Sequence, residues 1–322
     1  MNKLIAIAFA ALASFTSASA ETYPSRPITM IVPFPPGGLS DVVGRILAEG
    51  MRTSLGQTVV IENIGGATGS IGTGRVARAE PDGYTLVLGI WNTHVGNGAV
   101  YPLQYDIVND FEPIAFLADA PLLFTVKKGL PVNSMKELVA WLKAHPDKAT
   151  MGSVGAGSPG TLLGVLMRND TETQFQIASY RGVALAMQDL VAGQIDMGFS
   201  NPATAMPHVR SGAIKALAVT AKNRLAIAPD VPTMDEAGVP SLYFSLWAGL
   251  FGPRGLPKEI VAILNSAAVG AMADPNLRQK LISQGFDVAP RSRQTPEALA
   301  AQQKADIKKW WPIIREAGIK AQ

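Results

Sequence analysis

A glycine turn near the start of the chain could bind an anion through its backbone. The apolar run Ile28–Val32 leads into Pro35-Pro36-Gly37-Gly38, and helical periodicity begins at Val42. Such a turn directs N–H groups outward at a helix N-terminus, where the dipole favours negative charge. Asp41 would repel an anion, so we assign it to capping or orienting the turn. An ordinary capping turn is the alternative interpretation. The turn lacks the G-x-G-x-x-G and P-loop patterns, which argues against nucleotide binding.

A second glycine loop resembles the nucleophile elbow of a hydrolase. Ala156-Gly157-Ser158-Pro159-Gly160 has Ala where the elbow has its first Gly. The N–H after the nucleophile normally contributes to the oxyanion hole, and Pro159 has no N–H. Losing one such donor costs about 3–4 kcal/mol of transition-state stabilisation. We therefore interpret Ser158 as a hydrogen-bond donor and predict that the protein is not an enzyme. A secreted serine hydrolase using Ser158 is the alternative.

The other polar candidates point to binding rather than to metal chemistry. The guanidinium of Arg181, in Tyr180-Arg181-Gly182, would suit a carboxylate, although a surface arginine is the alternative. His94, His145 and His208 are scattered, and the chain has no Cys. We interpret His94 as a hydrogen-bonding loop residue and predict no metal and no cofactor.

The first twenty residues have the pattern of a signal peptide. Lys3 precedes the apolar run Leu4–Phe15, and Ala18-Ser19-Ala20 forms an A-x-A cleavage site. We therefore predict a mature chain beginning at Glu21 and a periplasmic protein. The run is shorter than the roughly 20 residues of a membrane-spanning helix, which argues against an anchor. The whole chain has 28 basic and 25 acidic residues without a basic cluster, which argues against nucleic acid as a partner.

Short apolar strands alternate with helical segments, which predicts an α/β fold with largely parallel sheets. The strand–glycine loop–helix unit occurs at the opening turn and again over 149–168, where the loop is Val154–Gly160. Two such units predict two similar lobes. Since ligands of open α/β sheets bind outside the carboxyl ends of strands, we expect a cleft between the lobes.

The C-terminal part is predicted to be helical and to pack on the first lobe. Pro257 opens a helix with Ile260, Ile263, Leu264 and Ala267 on one face. Thr295-Pro296 forms an N-cap and N1 pair for another helix. Trp310-Trp311 in that helix is interpreted as core.

A series of segments, taken in order, resembles one family over essentially the whole mature chain. They are Tyr23–Ile28, Pro33–Phe34, Pro36–Gly38 with Asp41, Gly56–Asn63, Gly66–Ala67, Pro81–Leu86, Asp110–Ile114, Tyr180–Gly182, Asp189–Leu190, Gly193–Asp196, Pro232–Thr233, Glu236–Gly238 and Trp247–Leu250. The chain resembles the Bug family, the extracytoplasmic solute receptors of tripartite tricarboxylate transporters. It departs from the family at Thr161, where His is frequent, and at Ile64-Gly65, where Arg-Pro is usual. These departures concern the identity of the ligand and not the family.

The resemblance implies a two-lobed α/β periplasmic binding protein, a Venus flytrap of type II topology with a central ligand cleft. The implied lobes are 21–124 with 246–322, and 125–245, with crossings near Pro121–Val126 and Phe244–Gly252. The implied ligand is a small organic carboxylate (a di- or tricarboxylate or an aromatic acid), delivered to the membrane permease subunits of the transporter. A sensor that feeds a two-component system is an alternative. We expect a monomer.

The resemblance also implies that loops at strand ends bind the ligand through backbone groups and bridging waters. The first-lobe candidates are Phe34, Gly37, Gly38, Asp41, Ala67 and Thr68, to which we add Asn92 and Thr93 from the polar loop after the third strand. The second-lobe candidates are Ser153, Ser158, Tyr180, Arg181 and Asn201.

Overall fold

The computed structural model describes residues 22–155, 157–180 and 182–320. The predicted signal peptide, 1–20, and Arg181 lie outside the described residues. The strands are β1 (Ile28–Val32), β2 (Val59–Asn63), β3 (Thr85–Ile90), β4 (Phe111–Pro121), β5 (Leu123–Lys127), β6 (Thr150–Ser153), β7 (Gln176–Ser179), β8 (Met197–Ser200), β9 (Ile214–Val219), β10 (Ser245–Pro253) and β11 (Asp287–Val288). The helices are α1 (Leu39–Leu55), α2 (Ser70–Ala77), α3 (Asn97–Val100), α4 (Met135–Ala144), α5 (Pro159–Thr171), α6 (Val183–Val191), α7 (Pro202–Arg210), α8 (Lys258–Ala273), α9 (Pro275–Ser283) and α10 (Pro296–Glu316).

The strands form two sheets with the same plan. The first has the order β11-β4-β10-β3-β1-β2, and the second has the order β7-β6-β8-β5-β9. In each sheet three neighbouring strands are parallel, and the next strand is antiparallel to them. That antiparallel strand, β10 or β5, enters from the other sheet. Each sheet with its helices forms one lobe, as the α/β alternation in the sequence predicted.

The lobes are joined where the chain crosses between the sheets. Strand β4 ends at Pro121 and β5 begins at Leu123. Leu122 between them donates its N–H to Thr220 Oγ1 at 2.8 Å, and its carbonyl accepts from the Thr220 N–H at 2.9 Å. The Phe244 N–H donates to the Thr220 carbonyl at 3.1 Å, just before β10 returns to the first sheet. The two crossings are therefore bonded to each other through Thr220.

The C-terminal helices pack on the first lobe, as predicted. Helix α8 lies against α1, where Gly50 allows close contact with Ala271. Leu264 and Ala267 of α8 are buried, but Ile263 is 38% exposed, so the prediction that it belongs to the buried face was wrong. Helix α8 packs mainly on α1 and β4, and Ile263 is exposed because it is not on the part of the helix surface that they cover. Thr295 caps α10, and its Oγ1 accepts from the Ala298 N–H at 3.1 Å.

An aromatic cluster fills the space behind the predicted ligand loops. Trp91, Phe244 and Trp310 meet edge to face, with ring centroids 5.0 to 6.2 Å apart. Trp310 is buried, which confirms its interpretation as core, whereas Trp311 is half-buried and donates Nε1–H to the Val95 carbonyl at 3.0 Å. The cluster joins β3, the second crossing and α10.

The segment after β3 is not the polar loop that its composition suggested. Residues Asn92–Gly96 form a wide helical turn that continues into α3. Thr93 and His94 are fully buried within it. The Gln303 amide of α10 donates to the His94 carbonyl at 2.9 Å. Tertiary bonds of this kind stabilise helical backbone in a segment whose local sequence favours a loop.

Candidate ligand-binding site

Three first-lobe segments meet at one edge of the first sheet because β1, β2 and β3 are parallel neighbours. A Cβ on Gly69 would lie 2.8 Å from Thr93 Cγ2 and 3.1 Å from Phe34 Cζ. Asn97 Nδ2 donates to the Thr68 carbonyl at 3.0 Å. The structure therefore brings Phe34, Thr68 and Thr93 together, although they come from three different loops.

Helix α1 begins at this edge without a side-chain cap. Gly38 is its N-cap residue, and no side chain in the described part of the chain caps the first turn. The N–H groups of Leu39 and Ser40 have no acceptor within a helix because of their position in the first turn. Ser40 is 7% exposed, and a small cavity of about 20 Å³ lies beside Ser40 and Leu39. The positive end of a 17-residue helix thus reaches a partly buried surface with free donors.

Asp41 orients the turn before α1. Its Oδ2 accepts from the Gly37 N–H and from Arg45 Nε, both at 2.9 Å, and its Oδ1 accepts from Asn63 Nδ2 at 2.9 Å. The bond from Arg45, followed by those from Gly37 and Asn63, lowers the Asp41 pKa to about 2 against the desolvation of the carboxylate. The Gly37 N–H is therefore occupied, and the free donors begin at Gly38.

The loop after β2 contains two non-glycine residues in the left-handed region. Ala67 and Thr68 have φ values of 45° and 54°. Such backbone costs of the order of 1–2 kcal/mol per residue and is frequent in ligand clamps. Thr68 Oγ1 is hydrogen-bonded to Tyr101 Oη at 2.9 Å. This bond, with the one from Asn97, holds Thr68 in place.

The other two first-lobe candidates lie on the turn after β3. Asn92 is half-buried, and Thr93 is fully buried. Thr93 Oγ1 bonds to the backbone of Ile90 and to His94 Nδ1 at 2.9 Å. Burial lowers the pKa of His94 to about 3, so its ring is neutral near pH 7. The Thr93 hydroxyl is thus engaged within the first lobe.

In the second lobe, three hydroxyls meet at the glycine loop after β6. Ser153 Oγ lies 2.8 Å from Ser158 Oγ and 2.7 Å from Thr161 Oγ1. Thr161 donates its hydroxyl to the Gly155 carbonyl at 2.8 Å, and Ser158 Oγ caps α5 by accepting the Thr161 N–H. Because Thr161 donates to Gly155, Ser153 donates to Thr161 and Ser158 donates to Ser153, so the protons of all three hydroxyls are used within this cluster. No histidine or carboxylate of the described chain bonds to Ser158.

Tyr180 is engaged by the helix that follows it. Its hydroxyl donates to Asp189 Oδ2 at 2.6 Å, and this bond is the main cause that raises the Tyr180 pKa to about 12. The Tyr180 N–H donates to the Ser153 carbonyl at 2.7 Å. Gly182 is the N-cap of α6 and has no capping side chain, so a second uncapped helix N-terminus lies next to the position of Arg181.

Asn201 combines a structural bond with a free donor. Its Oδ1 accepts from the Ala203 N–H at 2.8 Å and caps α7. Its Nδ2 is buried and has no hydrogen-bond partner in the described part of the chain. Next to it, Pro202 packs on Gly285, where a Cβ would lie 2.8 Å from Pro202 Cβ. Phe286, which follows Gly285 in the chain, lines the small cavity beside Leu39 and Ser40.

The two lobes also touch at the tips of their loops. A Cβ on Gly157 would lie 3.4 Å from Tyr101 Cε2, and a Cβ on Gly96 would lie 3.4 Å from the Gly157 carbonyl oxygen. Tyr101 in turn bonds to Thr68. The central glycine loop therefore contacts the first-lobe wall directly.

Sequence reasoning did not assign Ser40, Asn97, Tyr101 or Thr161 to the site, although Thr161 was noted as a departure from the family. Ser40 and Thr161 carried a readable signal, since each lies in the first turn after a glycine loop. Asn97 and Tyr101 follow β3 without a distinctive motif, and their bonds to the loop after β2 arise from tertiary contacts. Over 22–155, 157–180 and 182–320, no group of three His, Asp, Glu or Cys could hold a metal ion.

The comparison with known families decides the class of this protein. The model described as "Tripartite tricarboxylate transporter family receptor" matches residues 43–319. The chain belongs to this receptor family. The receptor is 34% identical to protein BugT of Bordetella pertussis over 325 residues, which cover 99% of each chain. The resemblance to the Bug family is thereby confirmed.

Solved structures confirm the two-lobed periplasmic-binding-protein fold of the receptor. The periplasmic binding protein BugD is 36% identical, with a TM-score of 0.81 over 93% of this chain and 100% of that one. MatC of Rhodopseudomonas palustris with bound malate is 35% identical, with a TM-score of 0.81 over 91% and 100%. An R. palustris protein with adipate is 32% identical, with a TM-score of 0.82 over 92% and 99%.

Proposed function

We propose that this receptor binds a small organic carboxylate between its lobes and delivers it to the permease subunits of a tripartite tricarboxylate transporter. The observation that carries the proposal is the uncapped N-terminus of α1 in the first lobe, together with the buried Asn201 Nδ2 of the second lobe, which has no partner among the described residues. The bound carboxylate ligand accepts bonds from both donors. Helix dipole and donors together favour an anion over a sugar or a cation.

The chemistry of two similar proteins agrees with this ligand class. MatC holds malate and the R. palustris protein holds adipate, and both ligands are dicarboxylates. Charge-assisted hydrogen bonds contribute about 1.5–3 kcal/mol each. Three or four of them provide a micromolar affinity, about −8 kcal/mol, after the cost of closing the lobes.

We propose that the protein is exported, that its signal peptide is cleaved after Ala20, and that it acts in the periplasm as a monomer. The N-terminal charge, apolar run and A-x-A site support export. We propose 21–124 with 246–322 as one lobe and 125–245 as the other, moving about the bonded crossings at Leu122, Thr220 and Phe244. The distribution of strands between the two sheets supports this division.

We also propose that the receptor holds its ligand without transforming it. Ser158 bonds to two hydroxyls and caps a helix, and Pro159 supplies no oxyanion donor. A serine nucleophile needs a base within hydrogen-bond reach. This arrangement favours binding over the serine-hydrolase alternative.

The experiment is a thermal-shift screen of mono-, di-, tri- and aromatic carboxylates, followed by calorimetry on Asn201→Asp. The aspartate keeps the cap of α7 but loses the donor and repels an anion. We expect the variant to unfold cooperatively without ligand, which shows that it is folded, and to bind the strongest carboxylate with an affinity lower by about tenfold or more. A screen in which sugars or cationic amino acids alone stabilise the protein would contradict the ligand class.

A further inference from the structure

A cavity of about 710 Å³ lies between the lobes beside the crossing strands. We call it the hinge-side cavity. In the first sheet it borders β4 and β11, whereas the candidate ligand-binding site borders β1, β2 and β3 across β10. The segment Ala221–Ile227 after β9 forms its second-lobe wall, and α10 forms part of its first-lobe wall. None of the predicted ligand residues that the structure describes lines it.

Two lysines from opposite lobes reach the same aromatic ring in this cavity. Lys222 Nζ lies 5.5 Å from the centroid of Tyr243, and Lys309 Nζ lies 5.8 Å from it. Within the described residues neither ammonium group has a salt bridge or a hydrogen bond to an acceptor. Burial lowers the pKa of Lys309, and the Asp306 carboxylate on the same helix opposes this shift.

The acidic groups of the same wall are largely satisfied. Asp119 Oδ2 accepts from Arg293 Nη1 at 2.9 Å. Asp306 Oδ2 accepts from Trp247 Nε1 at 2.7 Å and from Gln302 Nε2 at 3.2 Å. Asp287 is exposed and lies opposite Asp119 in the pairing of β11 with β4. Of the cations that line the cavity, Arg224 is ion-paired with Glu236 and Arg293 with Asp119, so among the described residues Lys222 and Lys309 are the ones whose ammonium groups can still donate to an anion.

We propose that the hinge-side cavity is a second ligand site, which takes a small anion of the phosphate or dicarboxylate type between Lys222 and Lys309. Its volume is in the range of roughly 300–1,000 Å³ that is typical of small-molecule sites. Phe244 and Trp310 give it apolar walls next to these cations. Since each lobe contributes one lysine, the anion binds best at one angle between the lobes, and so biases opening and closing.

The test is calorimetric titration of the full secreted chain with inorganic phosphate and, separately, with succinate. We expect Lys222→Gln and Lys309→Gln each to weaken binding of the preferred anion by about tenfold or more. In the double variant, the second substitution should reduce the affinity by a smaller factor than it does in the wild type. The reason is that an anion bound between the lobes needs both lysines, so removing one already removes most of the effect of the other. A loss with phosphate identifies a phosphate-type occupant, and a loss with succinate identifies a dicarboxylate.

The matched controls are Lys128→Gln in the second lobe and Lys308→Gln on α10. Both lysines are exposed, and neither lines the cavity. Each control removes one positive charge and should leave the affinity unchanged. Asn201→Asp separates the two sites, since it should weaken carboxylate binding in the cleft and leave the lysine-dependent binding intact. Equal binding by the double variant and the wild type, or no binding of either anion, would overturn the proposal.

Discussion

At the scale of single residues, Asp41 shows how a carboxylate can serve an anion site without repelling the anion. Its oxygens are occupied by Gly37, Arg45 and Asn63. The sequence predicted an orienting role because a free aspartate beside an anion would be unfavourable. The partners Arg45 and Asn63 were not predicted, since Asn63 is 22 residues away and reaches Asp41 only because β2 lies next to β1.

We expect Asp41→Asn to destabilise the protein by about 1.5–3 kcal/mol at neutral pH, because it removes the charge that these donors stabilise. The folded pKa of Asp41 is lowered from 3.8 to about 2. Its contribution is therefore complete above about pH 4 and is lost as the pH falls through about 2. Urea unfolding of wild type and variant across this range measures the effect.

The exposed Asp230→Asn is the control, and it should show no such difference at neutral pH. A stability gap between wild type and Asp41→Asn that persists unchanged at pH 2 would contradict the role of the charge.

At the scale of secondary structure, the helix ends distinguish free donors from satisfied ones. Helix α5 is capped by Ser158 and α7 by Asn201, whereas α1 and α6 have no side-chain cap. The sequence predicted glycine loops before α1 and α5 and treated them as equivalent. They differ because Ser158 immediately precedes α5, whereas glycine occupies the N-cap of α1.

We expect Gly38→Asp to abolish carboxylate binding while changing the free energy of unfolding by only a few tenths of a kcal/mol. Gly38 has extended backbone, with φ −80° and ψ 172°, and a Cβ there would lie 3.6 Å from the Pro35 carbonyl oxygen. The side chain therefore fits, and its carboxylate occupies the free N–H groups of α1. Calorimetry with the strongest carboxylate from the screen measures the loss.

Gly38→Asn is the matched control, since it offers a neutral cap of the same size. It should retain more affinity than Gly38→Asp. Wild-type affinity in the aspartate variant would mean that the ligand carboxylate does not sit at α1.

We expect Ser158→Ala to lower the free energy of unfolding by about 0.5–2 kcal/mol, because α5 loses its cap and the hydroxyl trio is broken. Denaturant unfolding measures this, and the exposed Ser292→Ala serves as a control. Neither wild type nor variant should hydrolyse a chromogenic ester. Turnover by the wild type that disappears in Ser158→Ala would restore the hydrolase interpretation.

At the scale of the whole molecule, the lobes meet at Gly157 and Tyr101 on one side of the crossings and enclose the hinge-side cavity on the other. Helix α10 touches both regions. Gln303 and Trp311 bond to the turn after β3, while Lys309 and Trp310 line the cavity. Helix α10 therefore connects the turn after β3 with the hinge-side cavity.

We expect Gly157→Leu to hold the lobes apart, because a Cβ there already lies 3.4 Å from Tyr101 and the larger side chain has no space. Overpacking of this kind costs about 1–3 kcal/mol, which lowers the affinity for the strongest carboxylate by roughly tenfold. Small-angle scattering should show a larger radius of gyration with ligand present than the wild type has.

Gly129→Leu is the control, since nothing lies within 4 Å of a Cβ at that position. Its affinity and scattering should match the wild type. A compact Gly157→Leu protein with unchanged affinity would mean that this contact is not part of closure.

The sequence by itself determined the family, the alternation of strands and helices, and the loops at the strand ends that form the candidate site. These features are local: β-branched runs, glycine turns and caps act within a few residues. It misjudged the turn after β3 as a loop and Ile263 as buried, since both depend on what packs against them. Only the tertiary structure decided which donors at these loops are free, because their competitors come from distant segments. Thr68 is bonded to Tyr101 and Tyr180 to Asp189, whereas Asn201 keeps a free amide. The hinge-side cavity likewise exists only where residues far apart in the chain, such as Lys222 and Lys309, are brought together by the two crossings.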